Sequence, residues 1–312
     1  MNRSIVPLVL LSFCSNLRAQ RPGPAIPLSV DAKLDMPYAT TENVRQRLDI
    51  FLPKNREAGK KLPVLVFVHG GAWQAGSKEQ GRGQVIRFAA QGTCAGVSVG
   101  YRLSQEAKWP AQIHDCKAAI RWIKANAEEY ELDAERIVVW GTSAGGHLVA
   151  VLGTSAGVTE MDGNLGPHTD KDTKVAGVID FFGPTDVSKM NTQRLPGTMD
   201  HDTPDAPEAK LLGGPVQTIP EKVKSANPLT YVDKTDPPFL IVHGKKDPLV
   251  PHGQSELLAA ALKKAGVANE LYNVKDGGHG RFNDPEVPRK VEAFLKERFL
   301  APAPTPAPSP QA

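Results

Sequence analysis

Ser143 sits in Gly141-Thr-Ser143-Ala-Gly145, and two further motifs lie downstream of it, His243-Gly-Lys-Lys-Asp247 and Gly277-Gly278-His279-Gly280. A serine hydroxyl is a weak nucleophile, so it needs a base to take its proton and a third group to orient that base. Serine, histidine and aspartate supply these three roles for acyl transfer. The glycines around Ser143 suit a sharp turn that lifts the nucleophile, because side chains there would collide with neighbouring backbone. A histidine flanked by glycines on a loop is hard to account for by packing. Asp247 admits two readings: the orienting acid, or a turn aspartate capping the helix that begins near His252.

Acyl transfer also needs donors for the oxygen that becomes negative in the tetrahedral intermediate. His69-Gly70-Gly71-Ala72-Trp73 follows an apolar run and offers small residues whose backbone N–H groups can approach such an oxygen. Gly71 and Ala72 are assigned as donors, joined by the N–H of Ala144 just after the nucleophile. Trp73 has two readings, an aromatic wall for a small acyl or phenolic group, or an anchor of its loop in the core.

These motifs need rigid elements behind them. Val64–Val68, Ala95–Val99, Arg136–Trp140, Val175–Ile179 and Phe239–Val242 are continuous apolar runs, as expected of strands buried on both faces. Leu271–Val274 is a shorter candidate, and Leu48–Leu52 adds a strand at the sheet's edge. Helical stripes lie between them: Ile113, Cys116, Ile120, Ile123 and Ala127; Leu257, Leu258, Ala261 and Leu262; Val291, Phe294, Leu295 and Phe299. Alternation at this spacing predicts an α/β domain over 30–300, with a mostly parallel central sheet and helices on both faces. Each motif then follows a strand, at the carboxyl edge where α/β sheets bind ligands. The interval 184–237 shows no clear strand and many prolines. It is either a small cap or lid over the site, inserted after the sixth strand, or a surface excursion with short helices.

With the motifs in the order Ser143, Asp247, His279, the chain resembles the esterases of the α/β-hydrolase superfamily. HGGAW, Gly100-Tyr-Arg-Leu103, Trp109-Pro-Ala-Gln-Ile-His-Asp115, GTSAGGH and HGKKDPLVP are all similar to motifs of that group, over roughly Leu48 to Leu300. The chain is most similar to bacterial secreted feruloyl- and acetyl-xylan-type esterases, with a secondary likeness to hormone-sensitive-lipase-like carboxylesterases. It departs from the latter in carrying HGGAW for HGGG and in lacking a large N-terminal pair of cap helices. The resemblance implies a single α/β-hydrolase domain and a serine esterase acting through an acyl-enzyme on short-chain, acetyl or feruloyl esters. Such an enzyme requires no cofactor and no metal. HGG-x-W also resembles kynurenine formamidases, which leaves an amidase as the alternative. A catalytically inactive binding module on the same fold is the rival from another class.

Composition narrows the partners. Of 312 residues, 37 are Lys or Arg and 34 Asp or Glu, a net charge of +3. That balance is no electrostatic footprint for nucleic acid. The partner expected is a small-molecule or polysaccharide-linked ester. Three cysteines with no C-x-x-C pair suit neither a disulfide scaffold nor a zinc site. Cys94 and Cys116 are either a disulfide pair in an exported protein or two buried small hydrophobes. Residues 1–20 combine Arg3, the apolar run Ile5–Phe13 and a small-residue end at Ala19, as a removable secretory signal does. A secreted or periplasmic location is therefore expected, with no transmembrane segment. Residues 301–312 alternate proline with small residues and read as an extended tail.

Overall fold

Seven buried residues in a row, Leu62–Val68, form the centre of the sheet. Alternate side chains feed two separate apolar clusters, Val64, Val66 and Val68 on one face and Leu65 and Phe67 on the other. The structure is a computed structural model and describes residues 25–57, 59–280 and 282–300. The secretory signal expected at 1–20 and the tail expected at 301–312 lie outside the described residues.

The strands are β1 (Val30–Pro37), β2 (Arg47–Pro53), β3 (Leu62–Val68), β4 (Ala95–Val99), β5 (Leu132–Thr142), β6 (Gly177–Phe181), β7 (Phe239–Gly244) and β8 (Asn269–Val274). They form one sheet in the order β1-β2-β4-β3-β5-β6-β7-β8. β2 runs antiparallel to β1 and β4, and every other pairing is parallel. The helices are α1 (Arg82–Ala90), α2 (Ala111–Ala125), α3 (Ala144–Thr154), α4 (Thr159–Asp162), α5 (Met190–Gln193), α6 (Pro207–Leu212), α7 (Pro220–Ala226), α8 (Gly253–Ala265) and α9 (Glu286–Leu300). Ile113, Leu148 and Leu258 bring α2, α3 and α8 onto one face. Val85, Phe88, Val291 and Leu295 bring α1 and α9 onto the other. The expected α/β-hydrolase architecture is therefore present, with helices on both sides of a mostly parallel sheet.

One expectation about the sheet is corrected. The Leu48–Leu52 strand is not at the edge, because β1 pairs outside it, Val30 opposite Pro53 and Pro37 opposite Arg47. β1 reads VDAKLDMP and exposes much of its length, so no apolar run marks it. It forms because β2 would otherwise leave a row of unpaired backbone groups. The ammonium of Lys78 ties this corner together, 2.9 Å from Asp35 and 3.0 Å from Asp49.

The cysteine question is settled by the same layering. Cys94 belongs to the cluster under α1 and Cys116 to the cluster under α2, so the sheet stands between them. Both are free and buried, and burial pushes the Cys94 thiol up to about 12.

The interval 184–237 holds α5, α6, α7 and three short 3-10 turns, with no strand among its residues. Met190, Leu211, Leu212, Val216 and Val223 join the main cluster, so the segment packs onto the body core. It is fastened at Trp109, whose N–H donates to the Leu211 carbonyl (3.0 Å) and whose indole N–H donates to Ser225 (3.1 Å).

Candidate active site

The parallel strands point their carboxyl ends at one edge, and the motif loops meet there. β5 runs into α3 through Ser143, which adopts φ 55° and ψ −121°. A non-glycine residue rarely takes that conformation, so its surroundings must hold it. Two constraints are visible. The Ser143 N–H donates to the Phe181 carbonyl at 2.8 Å, and its carbonyl accepts from His147 N–H at 3.0 Å. The flanking glycines are sterically required: a Cβ on Gly141 would overlap the Gly145 carbonyl, and one on Gly145 would overlap the carbonyls of Val68 and His69.

Ser143, Asp247 and His279, far apart in sequence, come together. His279 Nε2 lies 3.0 Å from Ser143 Oγ, and its Nδ1 lies 2.8 Å from Asp247 Oδ2. Asp247 accepts on Oδ1 from the N–H groups of Leu249 (2.8 Å) and Val250 (2.9 Å). Asp247 therefore closes the turn that follows it but does not cap α8, whose N-cap is His252 with no side-chain cap bond, and the turn coexists with the His279 contact through the other oxygen. Burial by itself would raise the Asp247 carboxyl. Hydrogen bonds from His243, His279 and the Val250 N–H outweigh it and hold the group below the usual carboxylate range. The ring edge of Phe182 meets His279 at 4.7 Å between centroids.

The loop after β3 is the second strained segment. Gly71, Ala72 and Trp73 take φ of 114°, 54° and 56° in succession. The Gly71 carbonyl accepts from the N–H groups of Gln74 (3.0 Å) and Ala75 (2.9 Å), which closes the turn. A Cβ on Gly70 would come 3.3 Å from Ser143 Cβ, so this loop lies against the nucleophile's turn. The N–H groups of Gly71, Ala72 and Ala144 meet no acceptor among the described residues. From below, Tyr101 fixes the loop by donating its hydroxyl to the His69 carbonyl at 2.9 Å and stacking on the His69 ring.

Trp73 is only 1% exposed and meets His147 edge to face at 5.3 Å. This corrects its reading as a substrate wall. Its left-handed backbone turns the side chain inward, and it anchors its loop. Burial pushes both His69 and His147 down to about 4 and keeps them neutral near pH 7.

Three neighbours escaped the sequence reading. His243 is wholly buried and touches Asp247. Phe182 shields His279. Asp180, at the end of β6, lies beneath the first turn of α3, where a Cβ on Gly146 would overlap its Oδ1. Burial lifts the Asp180 carboxyl to about 7, against one hydrogen bond from the Gly183 N–H. The i,i+4 spacing of His243 and Asp247 was the available signal for the first. Nothing local marks the other two. Among the described residues, no three His, Cys, Asp or Glu side chains gather as a metal-ligand set.

Comparison with known proteins follows the same lines. The BD-FAE family matches residues 48–262, a span holding Ser143 and Asp247. Esterase LipQ of Mycobacterium tuberculosis is 34% identical over 276 residues, covering 86% of this chain and 60% of LipQ. Esterase LipC of the same organism is 33% identical, covering 75% of this chain and 57% of LipC. The chain thus spans somewhat over half the length of these curated relatives. The solved structure of a truncated carbohydrate esterase from gut microbiota is similar with a TM-score of 0.81 at 33% identity, over 89% of this chain and 99% of that one. Among the described residues, no helix is long and apolar enough to cross a membrane.

Proposed function

The chain belongs to the BD-FAE family, and from that membership we propose that it is a carboxylic-ester hydrolase using Ser143 as nucleophile, His279 as base and Asp247 as orienting acid. The observation that carries the proposal is the continuous relay Ser143 Oγ, His279 Nε2, His279 Nδ1, Asp247 Oδ2, at 3.0 and 2.8 Å. In the first half-reaction Ser143 Oγ attacks the acyl carbon while His279 Nε2 takes its proton. The carbonyl electrons move onto oxygen, and the N–H groups of Gly71, Ala72 and Ala144 receive that charge. The intermediate collapses by breaking the bond to the alcohol, which leaves with the proton from His279. Water then repeats the sequence on the acyl-enzyme and releases the acid. Asp247 remains ionised throughout, because its hydrogen bonds favour the carboxylate, so it stabilises the imidazolium without taking its proton.

The substrates proposed are short-chain, acetyl or feruloyl esters, free or linked to polysaccharide. The likeness to a carbohydrate esterase supports that class. A secreted or periplasmic location is proposed from residues 1–20, and N-terminal sequencing of the exported protein would test it.

Ser143→Ala should lower turnover of p-nitrophenyl acetate by about 10³-fold or more. Unchanged turnover would remove Ser143 from the mechanism. A panel of acetylated xylan, methyl ferulate and formylkynurenine separates the ester classes from the amidase alternative, which a preference for formylkynurenine would establish. Failure of a fluorophosphonate probe to label the wild-type protein would favour an inactive binding module.

A further inference from the structure

Two histidines converge on one oxygen of Asp247. His279 Nδ1 lies 2.8 Å from Oδ2, and His243 Nε2, from the end of β7, lies 3.2 Å from the same atom. The second contact of His243 Nε2 is the Val250 carbonyl at 2.9 Å. A carboxylate and a carbonyl can only accept, so this nitrogen must carry a proton. The other nitrogen, Nδ1, lies 2.7 Å from Ser255 Oγ, a hydroxyl able to donate its hydrogen. The neighbours therefore select one tautomer of a neutral ring. Burial also lowers the affinity of this imidazole for a second proton, and this outweighs the pull of Asp247. The other titratable group facing the ring is His252, 5.4 Å away between centroids and itself 3.4 Å from Glu256. Phe182 covers the remaining side at 6.3 Å.

We propose that His243 is a positioning residue of the triad: it fixes the rotation of the Asp247 carboxylate and shares the oxygen that orients His279. The proposal rests on the triad reading above. Its physical content is twofold. A carboxylate held at Oδ1 by the N–H groups of Leu249 and Val250 and at Oδ2 by His243 cannot swing away from His279. A donor on Oδ2 also spreads the carboxylate charge, so Asp247 stabilises the protonated form of His279 less than a bare carboxylate would. Removing the donor should misplace the acid and, at the same time, make His279 easier to protonate.

The test compares three variants at His243 by the pH dependence of kcat and kcat/KM on p-nitrophenyl acetate. His243→Leu should lower kcat by about 10- to 100-fold, the scale of a small misplacement of catalytic groups. KM should stay within about twofold, since no ground-state contact to substrate is lost. The acid limb of kcat/KM should move to higher pH. His243→Gln, whose amide reaches the Nε2 position, should restore most of kcat and return the limb, whereas the shorter His243→Asn should not. If His243→Leu does not fold, the Gln and Asn pair carries the same comparison. A folded His243→Leu, or His243→Asn, with wild-type kcat and an unmoved limb would overturn the proposal. So would equal losses in Gln and Asn with no pH shift, which would make His243 a space-filling residue only. Fluorophosphonate labelling of the wild-type protein keeps the two levels apart. Labelling with unmoved His243 variants sinks the positioning role alone, and no labelling sinks the triad and this role with it.

Discussion

The loops at the carboxyl ends of β3, β5 and β6 and the segment 184–237 border one another, yet they are built on opposite terms. The first group holds four non-glycine residues at positive φ, Ala72, Trp73, Ser143 and Phe182. Across 184–237 the only positive φ values among the described residues belong to two glycines, Gly197 and Gly213. Unfavourable backbone persists only where the surroundings over-determine it, and the central strands with their tight glycine contacts supply that constraint. The segment contributes apolar side chains to the core and makes ordinary turns. The difference indicates which region should respond sharply to small changes and which should absorb them.

The sharpest way to break the contrast is at Gly145, where an added Cβ meets the backbone carbonyls of Val68 and His69. Gly145→Ala should cost about 3 kcal/mol or more in stability, read by denaturant titration, with activity falling along with it. A stable, fully active variant would mean the turn is not sterically locked. At Gly71 the conflict is with the Ala75 carbonyl and with φ 114°. Gly71→Ala should lower kcat by about 10²-fold through a displaced oxyanion donor, with KM less affected.

Asp180 extends the comparison to pH. Its folded carboxyl is raised to about 7 by burial, above its value in the unfolded chain. The folded state therefore binds the extra proton in between, and the corresponding stability is whole below about pH 4 and drains as pH rises toward 7. Asp180→Asn should not suffer this loss, so its Tm advantage over wild type should grow from pH 4 to pH 8. A constant gap across that range would refute the neutral, buried acid. The smallest effect is expected in the segment itself. Gly197→Ala meets no atom within 4 Å and bears only the strain of φ 76°, about 1 kcal/mol, with kcat unchanged on small esters. A large fall in kcat there would show that the segment is coupled to the chemistry.

Much of the site was legible because its parts are local. Gly141 and Gly145 bracket Ser143 within a five-residue motif, although only the Gly141 conflict, with the Gly145 carbonyl, is local and that of Gly145 is with the β3 end; Gly277, Gly278 and Gly280 flank His279 in an equally short motif. The apolar runs marked β3 to β7 because strands covered on both faces must be apolar throughout. β1 was missed because a polar edge strand takes its reason from β2, its partner. Trp73 kept two readings until its left-handed φ and burial against His147 were known. His243 stands in the same motif as Asp247, yet nothing in the sequence says that it shares an oxygen with His279.

The sequence by itself determined the architecture, the strands β2 to β8, the helices α2, α8 and α9, and the three residues from which a nucleophile, a base and an acid could be drawn, since periodicity and short motifs act over a few residues. Only the tertiary structure decided which histidines meet Asp247, which way Trp73 points, that the sheet separates Cys94 from Cys116, and that one oxygen of Asp180 meets no partner among the described residues beneath α3. Those outcomes depend on burial and on hydrogen-bond partners brought in from distant segments, and neither is encoded in any short window of the chain.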